Sequence, residues 1–384
     1  MTSLAAARQA HAGVQRARAI IAARDPGAGR EFARVTGAAA AACGGGAWVG
    51  DCLNQNEAPL EFSFSTACRD LRYTMEVGGR ASAPGSRLAI VDALLTELGL
   101  DADWDGVARS FPALQRHATL AWGAWLAARQ PRAPGQRKPE PTRYKIYAEV
   151  PAGPHDAAMT LLRQYLGPAP LAAAPHAQLV MLGAAPGSQR CEFYFELGSR
   201  ELSFDCLREL LAHVGLAHLR DELAALVGRF DFRRGRSADG LPQAQYGFSY
   251  SVLPDGREAE FSLLAFAADL AGGEAWVRQQ VLAVAGQRGL DLGLYDALSA
   301  PLARPHAGAG FHNMITFSVG ERAPPGWQIS VSPPPDVHVS QAPASAQASH
   351  RMARAAKLAG RQCDTSLPVR AARHFPQSVL NQRS

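Results

Sequence analysis

Two strand-like runs, a short turn and a helix recur as a unit about five times along this chain, and that repetition constrains the fold more than any single residue does. The first copy is the clearest. Leu60-Glu61-Phe62-Ser63-Phe64-Ser65 alternates apolar and polar residues, the period of a strand with one face in a core. A polar break at 66–70 precedes a second run, Leu71-Arg72-Tyr73-Thr74-Met75-Glu76-Val77, which Gly78 and Gly79 end. An amphipathic helix is predicted over 86–99. Antiparallel hairpins backed by helices can close into a barrel, and its inward side chains then line one shielded chamber.

The other copies follow in order. Residues 117–126 fit either a strand or a helix; after a Pro- and Arg-rich turn at 131–141, a strand is predicted over 142–150 and a helix over 155–166. The third copy pairs 178–182 with 191–197 across Pro186-Gly187-Ser188 and continues into a helix at 202–214. The fourth pairs 246–253 with 259–266 around the turn Pro254-Asp255-Gly256, with a helix at 273–286. The fifth pairs 311–319 with 326–332, and Pro333-Pro334-Pro335 ends it. Residues 1–42 read as Ala-rich helix broken at Asp25-Pro26-Gly27. The expected fold class is α+β: an antiparallel ten-stranded β-barrel built from αββα repeats, helices outside. An open antiparallel sheet with helices on one face, or two smaller sheets, would satisfy the same pattern. No boundary interrupts the series, so residues 1–335 read as one barrel domain and 336–384 as a disordered basic tail.

Charge supports that division. The net charge is +5, yet residues 337–384 carry seven Lys or Arg against one acid, which leaves the remainder near −1. A basic tail can touch nucleic acid or acidic lipid, but a solvated terminus is the simpler reading and a nucleic-acid partner is not expected. No stretch of about 18 uninterrupted apolar residues is present, so no membrane partner is expected. The six cysteines form no CxxC pair or zinc spacing, and with no signal-like N-terminus the chain is expected to be cytoplasmic with reduced thiols.

No DDxxD-type acidic cluster, HExxH, phosphate loop or GxSxG elbow occurs, so no metal or other cofactor is implied. The chemistry must come from ionisable and aromatic residues on strands. Lys145 and Tyr147 share a face, as do Glu61, Ser63 and Ser65, and Arg72, Thr74 and Glu76. Arg190, Glu192 and Tyr194 share one if their strand begins at Arg190. If these faces are interior, the chamber holds cations that an anionic ligand would satisfy. The plainer alternative makes them wet outer faces, with Phe62, Phe64, Tyr144 and Ile146 in the core.

Pro59-Leu60-Glu61-Phe62-Ser63-Phe64, followed by Arg72 and Glu76, resembles the first hairpin of the indole aromatic prenyltransferases of the dimethylallyltryptophan-synthase type. Tyr144-Lys145-Ile146-Tyr147 is similar to that family's Lys-x-Tyr strand, and Arg190-Cys191-Glu192-Phe193-Tyr194 resembles its Arg-x-Lys-x-Tyr strand. The resemblance spans roughly residues 45–335 and implies the family's αββα barrel. It implies that Glu61 hydrogen-bonds an indole N–H, that Arg72, Lys145 and Arg190 hold a diphosphate, and that Tyr147 and Tyr194 shield a carbocation. The partners implied are a prenyl diphosphate and an aromatic small-molecule or peptide acceptor, joined by metal-independent electrophilic substitution. Three positions depart from the pattern. Glu192 stands where a Lys is expected, Ser262 in Glu260-Phe261-Ser262 stands where a shielding Tyr is expected, and Ser330 lies in a strand, 327–332, that lacks its Tyr. A non-catalytic binding or partner protein on the same fold is therefore the alternative reading.

Overall fold

The computed structural model describes residues 4–335 except 45–47, 51, 67, 81, 101–105, 132–139, 154–155, 168–173, 175, 231–238 and 305–309. The tail at 336–384 and most of the turn at 131–141 lie outside the described residues. Two helices come first, α1 (Leu4–Arg24) and α2 (Pro26–Ala41). Asp25 separates them: its side chain accepts from Ala28 N at 2.9 Å, and Pro26 occupies the first turn of α2, where its missing N–H costs nothing. The first hairpin is β1 (Leu60–Ser65) and β2 (Leu71–Glu76), followed by α3 (Arg87–Glu97) and the short α4 (Phe111–Gln115). Then come β3 (Ala124–Gln130), β4 (Arg143–Glu149) and α5 (Asp156–Leu166), and next β5 (Gln178–Ala184), β6 (Cys191–Glu196), α6 (Phe204–Ala212) and α7 (Arg220–Gly228). The fourth unit is β7 (Tyr246–Val252), β8 (Glu260–Phe266), α8 (Ala267–Ala271), α9 (Glu274–Gln287) and α10 (Gly293–Ser299), and the fifth hairpin is β9 (His312–Gly320) and β10 (Gly326–Val331).

Each strand pairs antiparallel with its sequence neighbours, and β1 pairs with β10, so the ten strands form a closed barrel. All hairpin turns therefore lie at one mouth and all helical connections at the other. Among the described residues no helix is long and apolar enough to cross a membrane.

The period-2 pattern acts here on two cores of different kinds. Leu60, Phe62, Tyr73, Met75, Ile146 and Phe193 are buried together with the apolar faces of the helices, Val91, Leu94, Leu162 and Leu210 among them. Phe32 of α2 meets Tyr73 edge-on at 4.9 Å, and the Tyr250 hydroxyl donates to the Leu210 carbonyl of α6 at 2.9 Å. The apolar face thus points out, into a layer between barrel and helices. The polar face points into the barrel rather than to bulk solvent, which reconciles the two sequence readings: Phe62 and Ile146 are in a core, and Glu61 and Lys145 are still inside.

Carboxylates secure the helical mouth. Glu76 pairs with Arg87 at 2.9 Å and accepts the Cys52 and Leu53 amides at 3.1 and 3.2 Å. Glu149 accepts three successive amides, Ala121, Trp122 and Gly123, at 2.8, 2.6 and 2.6 Å. Glu274 accepts the Gly310, Phe311 and His312 amides and meets His312 Nδ1 at 2.6 Å, while Tyr295 meets the other ring nitrogen at 2.8 Å. Burial alone would raise the Glu274 pKa, but His312 and these amides hold it below the ordinary carboxylate value. Backbone re-entering the barrel thus finds acceptors that no ladder supplies.

Residues 117–126 resolve as irregular chain followed by a strand. Gly123 has φ of 75°, and a Cβ there would lie 2.0 Å from the Pro84 carbonyl oxygen. The strand starts only after this glycine. Helices α4, α7, α8 and α10 are not legible in the repeat pattern.

The Glu76–Arg87 pair is buried on both sides, with side chains 0% and 2% exposed. Arg87→Ala should leave an uncompensated charge and cost about 3–5 kcal/mol, read as a lower urea midpoint; a loss under about 1 kcal/mol would show that the pair does not hold this mouth.

Candidate active site

Inward positions align in rows across the ladders. Glu61 lies opposite Thr74, Thr74 opposite Ala127, and Ala127 opposite Lys145. Glu61 and Lys145 are therefore three strands apart on one row, roughly 14 Å along the sheet. Glu61 is buried, 8% exposed, and its Oε2 accepts from Asn313 Nδ2 at 2.7 Å. Asn313 also donates to the Leu53 carbonyl at 3.2 Å, tying the site to the chain that Glu76 holds. Burial pushes the Glu61 pKa up to about 7, and hydrogen bonds from Asn313 and Ser330 offset only part of this. Around neutrality Glu61 can both accept and donate a proton.

A second cluster lies on β4 and β6. Glu192 takes Lys145 Nζ on one oxygen and the Tyr194 hydroxyl on the other, each at 2.5 Å. Lys145 Nζ is 5.2 Å from the Tyr147 ring centre, and the Tyr147 and Tyr194 rings meet edge-on at 5.9 Å. Gly183 sits opposite both Tyr147 and Glu192, and a Cβ there would lie 3.2 Å from two Tyr147 ring atoms and 3.3 Å from Glu192 Oε2. Burial opposes both charges, yet their mutual attraction prevails: the Lys145 pKa is raised and the Glu192 pKa lowered. The Tyr194 pKa is raised well above that of a free phenol, by burial first and then by the Glu192 charge. Glu260 follows on the same row as Glu192, across Ser251; burial and the Glu192 charge raise its pKa.

The structure brings Lys145, Tyr147, Glu192 and Tyr194 together. Arg72, opposite Ser63 on β1, donates to Gln328 Oε1 at 2.8 Å, and its charge acts on Lys145, Glu192 and Glu260. Arg190 stands apart. The strand begins at Cys191, and the Arg190 guanidinium turns to Glu258 Oε2 at 3.1 Å, the Glu258 carbonyl at 2.9 Å and the Ser251 carbonyl at 3.1 Å, at the turn mouth. It lies at the rim of the same wall: its Nη1 is 3.3 Å from the Oγ of Ser251, the residue opposite Glu192. Two features escaped the sequence pattern. Asn313 reaches the chamber because the β9–β10 register shifts between the pairs of Ile329 and Val331, and such a bulge breaks the period. Trp125 lies opposite Tyr147 and stacks on Trp122 at 4.0 Å; its inward position became readable only once the strand start was fixed. Among the described residues no group of three or more His, Cys, Asp or Glu could hold a metal ion.

No protein-family profile matches the chain, and no curated protein matches it. Solved structures do. 5-Dimethylallyl tryptophan synthase from Streptomyces coelicolor, in complex with DMASPP and Trp, superposes with a TM-score of 0.63 at 17% identity, covering 87% of this chain and 96% of that one. Prenyltransferase PriB gives 0.62 at 17% identity, over 85% and 98%. 6-Dimethylallyltryptophan synthase from Micromonospora olivasterospora, in complex with DMASPP and Trp, gives 0.61 at 17% identity, over 83% and 96%. The chain has the αββα-barrel fold of the aromatic prenyltransferases.

Because Glu61 is more basic folded than in a free chain, the native state holds an extra proton between about pH 4.5 and 7. Stability from this group therefore falls as pH rises through that window, by an amount on the order of 3 kcal/mol. Glu61→Gln should flatten that part of the profile when urea midpoints at pH 5 and pH 8 are compared; identical slopes in both proteins would contradict it.

Proposed function

We propose that this protein transfers a prenyl group, dimethylallyl or longer, from its diphosphate to an indole-type or related aromatic acceptor by electrophilic substitution on the ring. The observation that carries this reading is Glu61: a buried carboxyl inside a barrel of prenyltransferase fold, oriented by Asn313. That the superposable enzymes were solved with DMASPP and Trp supports the same substrate classes here.

The chemistry follows from the two clusters. Heterolysis of the allylic C–O bond leaves the electron pair on pyrophosphate and a carbocation behind. Arg72 and Lys145 would stabilise charge developing on the leaving group. Tyr147, Tyr194 and the Trp125 face would stabilise the cation, each by about 0.5–2 kcal/mol. Glu61 accepts the acceptor N–H, which raises electron density on the ring. A ring carbon then forms the new C–C bond, and its proton passes to the released pyrophosphate, which restores aromaticity. Glu192 sets the donor side apart, because Lys145 must exchange a carboxylate partner for a phosphate one.

The second reading, a non-catalytic binding protein on the same fold, is favoured by that Lys145–Glu192 bond. Incubation with prenyl diphosphates and an aromatic acceptor panel, read by mass spectrometry, separates the two: prenylated product supports transfer, and its absence with every pair supports binding alone.

Glu61→Gln should lower turnover of an indole acceptor roughly a hundredfold and leave affinity for a non-hydrolysable diphosphate analogue nearly unchanged. Full activity in that variant would remove Glu61 from the mechanism. Lys145→Ala deletes a charge-assisted contact worth about 1.5–3 kcal/mol, so titration calorimetry should show analogue binding weakened about tenfold or more. Glu192→Lys should tighten the same binding, and equal affinity with Glu and Lys would place position 192 outside the donor site.

A further inference from the structure

Asn313 reaches Glu61 through an irregularity that other groups must hold in place. His312 stands opposite Val331 and Ile315 opposite Ile329, so two residues of β9, Asn313 and Met314, face the single Ser330 of β10. His312 and Asn313 take opposite sides of the strand. The His312 ring meets helices α9 and α10 outside the barrel, and the Asn313 amide meets Glu61 inside it. Asn313 Nδ2 donates to Glu61 Oε2 at 2.7 Å and to the Leu53 carbonyl at 3.2 Å, which uses both of its hydrogens. The amide can direct Glu61 only if the backbone at 313 is itself fixed, and a bulge breaks the ladder there.

The fixing groups come from the helices. Glu274, in the first turn of α9, accepts the Gly310, Phe311 and His312 amides at 2.8, 2.9 and 3.1 Å and meets His312 Nδ1 at 2.6 Å. The Tyr295 hydroxyl of α10 meets Nε2 at 2.8 Å, and the Tyr295 ring packs edge-on against Phe64 of β1 at 5.4 Å. An ionised Glu274 requires the proton on Nδ1, so Nε2 of the neutral ring accepts from the hydroxyl. The imidazole is thus held at both nitrogens. A carboxylate and an imidazole buried in an otherwise apolar layer contribute little net stability, but a satisfied polar network fixes position as apolar packing does not.

We propose that Glu274, His312 and Tyr295 are positioning residues for Glu61: from outside the barrel they hold the bulge that presents Asn313, and through Asn313 they set the direction of the carboxyl. The inference rests on the role proposed for Glu61 toward the acceptor N–H. A second hydrogen bond to Glu61 comes from Ser330, the residue that faces the bulge. On the facing strand β2, the charged residues either side of Thr74 are Arg72, bonded to Gln328, and Glu76, paired with Arg87. Asn313 is the partner that joins Glu61 to the helix layer.

The test reads Glu61 directly. Its carboxyl stretch, isolated by subtracting the infrared spectrum of Glu61→Gln, is titrated in the full chain without ligand. Asn313→Ala removes a hydrogen bond that favours the ionised form and should raise the midpoint by about one pH unit. Glu274→Gln and His312→Leu should move it the same way by about half as much or more. His312→Asn keeps a donor beside Glu274 and should restore most of the native value. If either variant fails to fold by circular dichroism, Tyr295→Phe, which removes one hydroxyl, carries the same expectation. In calorimetry, the preference for indole over 1-methylindole, which lacks the N–H, should fall severalfold in Glu274→Gln and His312→Leu, with affinity for a non-hydrolysable diphosphate analogue unchanged. A merely structural role would lower the urea midpoint and leave both readouts where they are; that result overturns the inference, as does a preference untouched in both variants. No preference for indole in the native protein would instead overturn the acceptor role of Glu61, while the titration still decides whether the outer residues position it.

Discussion

The closed ladder is the constraint on which the rest depends. Once β1 pairs with β10, no strand edge is left to protect and every strand is hydrogen-bonded on both sides. Apolar stabilisation then comes from the outer face, where Phe62, Tyr73, Ile146 and Phe193 meet the helix layer. The inner face is released from that duty. It can carry carboxylates, a lysine and a row of serines because the residues that hold the fold point the other way.

Within that released face, one residue type takes opposite characters. Glu61 and Glu192 are both carboxyls enclosed by the barrel. Glu61 has amide and hydroxyl partners and drifts toward the neutral acid; Glu192 has Lys145 and stays ionised. The difference lies in the partner rather than in the degree of enclosure. A neutral-leaning acid suits recognition of an N–H group with little charge of its own. An ionised one fixes a lysine and a phenol in place, and it makes that side of the chamber less cationic than a Lys at 192 would.

Much of this was legible before any coordinates. The five hairpins, their alternation and the shared faces of Glu61, Arg72, Lys145, Tyr147, Glu192 and Tyr194 follow from period and order, which the ladder sets. What the pattern could not show is where the period slips. Asn313 enters the chamber through a bulge, and β3 waits for Gly123. Nor could alternation say which face was inside, since a barrel with an outer helix layer buries both. The helices α4, α8 and α10 have too few turns to build a recognisable stripe, and α7, as long as α6, gathers its apolar residues less sharply on one side.

Gly183 illustrates a different kind of fixation. Its φ is not positive, so its own backbone does not demand glycine. Its neighbours crowd it, because Tyr147 and Glu192 lean over it from the two flanking strands, and a methyl group there would need them to give by a few tenths of an ångström. The ion pair and phenol of this cluster are therefore packed against bare backbone, and their positions depend on what residue 183 lacks. A side chain at 183 would displace Tyr147 or Glu192 slightly, and through Glu192 that displacement would pass to Lys145 and Tyr194.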